Sequence, residues 1–129
     1  MLFRSAHSCY NRAEALTRAA DDEELLAQII DIFITETPAL LEQMDGFFQS
    51  GDHQRIFRTA HTIKGSSSNL SAAGVSNAAR EVELPARSGD LAAAAAALPA
   101  LKASTAALIA ELALEQNNHS SAGLCGATP

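Results

Sequence analysis

Apolar residues recur along this chain at helical spacing, and no stretch alternates as a strand would. Asn11 is placed to cap a short helix over about Arg12 to Ala20, docked through Leu16. Asp21 or Asp22 caps a second helix running to about Ser50, with Asp22, Glu23 and Glu24 complementing its dipole. Its apolar positions are Leu26, Ile30, Phe33, Leu40, Leu41, Met44 and Phe48. Leu25, Ile29 and Ile32 widen that stripe enough to face two neighbours. Pro38 inside it predicts a kink. Ser50-Gly51-Asp52 reads as a C-cap glycine followed by the N-cap of a third helix.

That third helix carries the most informative pattern. With Ile56 at zero on a helical wheel, Ile56, Ala60, Ile63, Ser67 and Leu70 fall within about 40° of one another's mean direction. They make a narrow apolar stripe. His61 lies at about 140°, Lys64 at about 80° and Gly65 at about 180°. The imidazole is therefore turned out of the core, with an ammonium at i+3 and no side chain at i+4. Glycine costs a helix interior about 1 kcal/mol relative to alanine, so Gly65 beside an outward histidine suggests close approach by another molecule.

Ser71-Ala-Ala-Gly74 reads as a short turn. A fourth helix, about Ala73 to Ser88, has Val75, Ala78, Ala79, Val82 and Ala86 on one face and is interrupted by Pro85. Ser88-Gly89-Asp90 repeats the earlier cap pattern. A last helix, about Leu91 to Glu115, has Leu91, Leu98, Leu101, Thr105, Leu108 and Leu112 as its seam, with Pro99 a second candidate kink after Pro38. Short turns between long amphipathic helices favour antiparallel neighbours. The predicted fold is all-α: an up-down-up-down four-helix bundle with a short extra N-terminal helix across one end. Residues 1–9 read as a flexible leader, 10–115 as the bundle domain and 116–129 as a disordered tail.

Composition narrows the function. At 129 residues the chain builds one domain, and its net charge of −6 disfavours nucleic acid and anionic membrane as partners. The charge is uneven: residues 21–49 hold eight acids and no Lys or Arg, whereas the third helix holds Arg55, Arg58 and Lys64 against Asp52. Cys9 and Cys125 stand near opposite ends, in no metal or redox spacing. No apolar run reads as long enough to span a bilayer, and the first residues are too few and too polar for a signal peptide. The expectation is a soluble, cytoplasmic monomer.

The segment His61-Thr-Ile-Lys64-Gly65-Ser66-Ser67 resembles the signature of histidine-containing phosphotransfer (HPt) domains, the relay modules of bacterial multi-step two-component signalling. Tyr10-Asn-Arg-Ala-Glu-Ala-Leu16, Asp21-Asp-Glu-Glu-Leu-Leu26, Ala79-Arg-Glu-Val-Glu83 and Ala86-Arg87-Ser-Gly89-Asp90 extend the resemblance over about residues 10 to 115. The family usually has glycine where this chain has Ser71. The resemblance implies that His61 accepts a phosphoryl group from the aspartyl phosphate of a receiver domain and passes it on, with Mg²⁺ on the partner and no cofactor of its own. It implies that Lys64 stabilises the transferred group, and that Arg87 matches a basic position near the family's site. Phe57, Arg58, Gly65, Ser66 and Ser68 complete the expected binding surface.

The residues support that chemistry independently. An imidazole has an unperturbed pKa of about 6.5, and its free ring nitrogen can attack phosphorus to form a phosphoramidate. No HExxH, ExxH pair or Cys/His cluster suggests a metal, and no Walker or glycine-rich phosphate loop suggests ATP. The chain is thus expected to be a carrier without autokinase activity. The reading from a different class is a helical interaction module that binds a kinase, receiver or other enzyme without being phosphorylated. His7, His53 and His119 are read as ordinary surface histidines.

Overall fold

The computed structural model describes residues 9–125, and side chains as far as residue 116. It contains five helices and, among the described residues, no strand: α1 (Arg12–Arg18), α2 (Glu23–Ser50), α3 (His53–Asn69), α4 (Ala73–Arg87) and α5 (Leu91–Cys125). Consecutive long helices pack on one another, and α5 returns to pack on α2.

The apolar stripe read on α3 is the centre of the core. Ile56, Ala60, Ile63, Ser67 and Leu70 are all fully buried. They meet Leu26, Ile30, Phe33 and Met44 from α2, Val75, Ala79 and Val82 from α4, and Leu101, Leu108 and Leu112 from α5. Each fully buried Leu or Ile contributes about 1.5–3 kcal/mol relative to an exposed one, so this stripe fixes how α3 is rotated.

Helix ends follow local chemistry. The Asp22 carboxylate accepts from the backbone N–H groups of Glu24 and Leu25 at 3.0 Å, and Asp52 accepts from Arg55 N at 3.2 Å. Gly51 ends α2 at φ 70°, the left-handed conformation that glycine adopts without a Cβ penalty. α2 and α4 are continuous through Pro38 and Pro85.

Several expectations need correction. Leu16 packs against the core as expected, and the docking of α1 also rests on Ala15 and its C-cap residue Ala19, both buried; small residues let this short helix approach closely. Ile32 is 54% exposed and so is not part of the buried stripe. The turn after α3 is Leu70–Ala72, with Gly74 already inside α4; the left-handed residue is Ser71, at φ 54°. α5 continues to Cys125, past the expected end at Glu115. Once a helix is nucleated, each further residue adds a hydrogen bond at little cost, and no proline interrupts this stretch. The tail expected to be disordered from residue 116 is therefore helical as far as Cys125, and residues 126–129 lie outside the described ones. Of the leader, residues 1–8 also lie outside them, while the Cys9 amide donates to Glu111 Oε1 at 2.7 Å. Burial and that carboxylate push the Cys9 thiol pKa up.

α5 also contains a stretch, Leu91–Gln116, whose length and mean hydropathy of 1.5 would suffice to cross a bilayer, contrary to expectation. Alanines supply much of that hydropathy, and its bulky seam of Leu98, Leu101, Leu108 and Leu112 is buried against the bundle.

Candidate functional site

His61 projects from the middle of α3 with its side chain 62% exposed. Rotation of α3 about its buried stripe dictates this. Its Nδ1 lies 2.6 Å from Oε2 of Glu83, which reaches across from α4. The other carboxylate oxygen, Oε1, faces the Lys64 ammonium at 2.7 Å. One carboxylate thus ties the histidine and the lysine one turn beyond it.

The Glu83 side chain is only 6% exposed. Burial pushes its pKa up, but the hydrogen bonds and positive charge offered by Lys64 and His61 outweigh burial, and the net shift is downward. The carboxyl is therefore ionised at neutral pH and can only accept hydrogen bonds. It follows that His61 Nδ1 carries the proton. In the neutral ring the free lone pair is on Nε2, the far nitrogen. The Phe57 ring stacks on the imidazole with centroids 5.9 Å apart and planes at 28°, restricting its rotation.

Gly65 behaves as the wheel suggested: a Cβ built there meets nothing within 4 Å. The backbone beside His61 is open to an approaching surface.

The remaining expected residues are distributed around this centre. Ser66 Oγ donates to the Thr62 carbonyl at 3.0 Å. It lines a groove of about 150 Å³ between α2 and α3 with Ile29, Ile32, Leu40 and Thr62. Ser68 Oγ lies 3.0 Å from Ser76 Oγ on α4, and Ser67 Oγ lies 2.9 Å from the same hydroxyl. The structure thus gives Ser66 and Ser68 hydrogen bonds away from the imidazole. Arg58 and Arg87 line a second cleft together with Phe57. His53 is not idle: its Nδ1–H donates to the Ala86 carbonyl at 3.2 Å, tying the start of α3 to the end of α4.

Glu83 is the site residue to which the sequence reading gave no role. A signal for it existed, because it falls on the same face as Val75, Ala79, Val82 and Ala86. A carboxylate on an apolar face must find charged or hydrogen-bonding partners there.

The Hpt domain family matches residues 28–111 of this sequence. The chain belongs to that family, whose members are phosphocarriers of phosphorelays rather than kinases and interact with receiver domains and kinases. Its fold is similar to that of the crystal structure of histidine-containing phosphotransfer protein B (HptB) from Pseudomonas aeruginosa PAO1. The TM-score is 0.78 at 24% sequence identity, covering 85% of this chain and 96% of that one. No curated protein matches the sequence.

Proposed function

We propose that His61 is the phosphoacceptor of this chain, receiving a phosphoryl group from a receiver's aspartyl phosphate and returning it to the aspartate of another. The observation that carries this reading is the fixed, exposed ring: Glu83 holds Nδ1–H, and Nε2 points its lone pair outward. In the transfer, Nε2 attacks phosphorus in line and a P–N bond forms. The P–O bond to the aspartyl oxygen breaks, and its electron pair leaves on the partner's carboxylate. Glu83 stabilises the positive charge that develops on the imidazole, and the Nδ1 proton stays in place. The reverse reaction uses the same contacts, because the stabilised imidazolium is also the better leaving group. Lys64 can turn from Glu83 to the phosphoryl oxygens, a charge stabilisation of the kind that dominates phosphoryl transfer. The Mg²⁺ that neutralises charge at phosphorus belongs to the receiver.

On this reading the four long helices form an antiparallel up-down-up-down bundle with α1 across one end, acting as a cytoplasmic monomer. It holds no ATP site. Incubation with a panel of phosphorylated receivers from the source organism tests the proposal. Acid-labile label should appear on His61 within one receiver pairing, and none should appear with ATP and Mg²⁺ alone. Rapid labelling by ATP, or acid-labile label on another residue, would overturn it.

A further inference from the structure

Phe57 and His61 stand one turn apart on α3, a spacing at which helical side chains lie one above the other. Helical side chains also lean toward the N-terminus, so the imidazole is laid over the turn that carries Phe57. The two rings meet with centroids 5.9 Å apart and planes 28° from parallel. Phe57 is half-buried and packed against the core, so it presents a fixed face to a histidine side chain that is 62% exposed. Glu83 holds the same imidazole by its Nδ1 edge. The ring thus has two anchors, a carboxylate at one edge and an aromatic plate across one face.

The face of a phenyl ring is electrostatically negative and attracts a cation within about 6 Å of its centroid. A neutral imidazole gains only ordinary stacking from it. In the transfer described above, Nε2 bonds to phosphorus while the P–O bond to the aspartyl oxygen breaks and its electron pair leaves on the partner's carboxylate. The proton stays on Nδ1, so the ring passes from neutral to positive as the P–N bond forms. We propose that Phe57 is a positioning residue for this step: its π face stabilises the positively charged, phosphorylated imidazole over the neutral ring, and so sets how far transfer runs toward His61. Only stabilisation that differs between states moves a rate or an equilibrium, and this contact differs by the charge on the ring. It is internal to the chain, so it acts on the imidazole and not on the docking of the partner. The proposal rests on the phosphotransfer reading above.

The test mixes the full chain with a phosphorylated receiver that labels wild-type His61, and reads the ratio of phosphohistidine to phosphorylated receiver at equilibrium. Phe57 is replaced in turn by phenylalanines carrying one, two and three ring fluorines, which drain the negative potential from the face with little change of shape. The ratio should fall stepwise along that series at unchanged melting temperature. In Phe57→Leu, which keeps an apolar side chain without a π face, it should fall by about two- to fivefold. Phe57→Tyr, which keeps the face, should stay within about twofold of wild type. A flat fluorine series would overturn the proposal whatever Phe57→Leu does, because the contact would then be packing alone. A change confined to KM, with the equilibrium ratio unmoved, would also overturn it, because Phe57 would then serve only the encounter. If no receiver labels wild-type His61 at all, the phosphotransfer reading fails first and this role of Phe57 falls with it.

Discussion

Glu83 Oε2 lies 2.6 Å from Nδ1 of His61, so a buried carboxylate on one helix sets which nitrogen of an exposed ring on the adjacent helix keeps its lone pair free. The relationship also makes His61 part of the packing account. His61→Gln should abolish phosphoryl acceptance while keeping the melting temperature close to wild type, because the glutamine amide can still donate to Glu83. His61→Ala should instead cost about 1–3 kcal/mol, the penalty for removing a partner from a buried acceptor. Thermal melts of the two variants, beside a labelling assay, separate the roles; equal stability would mean that Glu83 does not depend on the ring.

Lys64→Ala should slow transfer and shorten the lifetime of the phosphohistidine while receiver binding persists. It should also destabilise the fold by about 1–3 kcal/mol, since buried Glu83 loses the Lys64 ammonium. Stopped-flow transfer and urea melts check both. A variant with the wild-type transfer rate would demote Lys64 to a structural counter-ion.

Gly65→Ala should raise stability by about 0.5–1 kcal/mol, because alanine is the better helix former and its Cβ meets open space. Gly65→Gln should also melt at or above the wild-type temperature, yet lose most receiver binding and transfer. Calorimetry and transfer kinetics must diverge. Normal transfer by a stable Gly65→Gln would show that the partner reaches His61 from another side.

The lowered pKa of Glu83 carries a pH dependence of definite sign. Folding favours the ionised carboxylate, so the unfolded chain binds more protons and stability rises with pH across the titration. The contribution is full above the unfolded value near 4.5 and is lost as pH falls through the lower folded value. Glu83→Gln lacks this term. The gap between wild-type and Glu83→Gln melting temperatures should therefore shrink as pH is taken below about 4.5. A gap that stays constant from neutral to acid pH would contradict the assignment.

The rotation of α3 was legible in the sequence because it depends on a local period: all five residues of its stripe are buried, and Thr59 is buried beside them. The same wheel turned His61 outward and left Gly65 open. What depended on the distance between helices was not legible. Arg87 lines a cleft with Phe57 and Arg58, a juxtaposition across two helices that no local period encodes. Ser66 and Ser68 carry hydroxyls that could serve either the imidazole or the backbone, and nearby acceptors on their own helix and on α4 take them. The bonds of Glu83 to His61 and Lys64 cross the helix pair, so they follow only from how the two helices pack. At Ser71 the turn demands a left-handed residue. Hydrogen bonds from Arg18 to its hydroxyl and from Asn11 to its carbonyl hold it there, and neither partner is adjacent in sequence.

The three hydroxyls of Ser67, Ser68 and Ser76, clustered within 3.0 Å contacts between α3 and α4, act as a gauge for the whole helix pair. Small side chains there allow the two backbones to come close, and their mutual bonds fix how far one helix can slide along the other. Sliding by a single turn would move Glu83 about 5.4 Å along the axis, far outside reach of both His61 and Lys64. The orientation of the imidazole is thus calibrated from a distance, by residues that never touch it. A bulky residue such as valine at Ser76 would detune the imidazole while leaving His61, Lys64 and Glu83 all in the sequence.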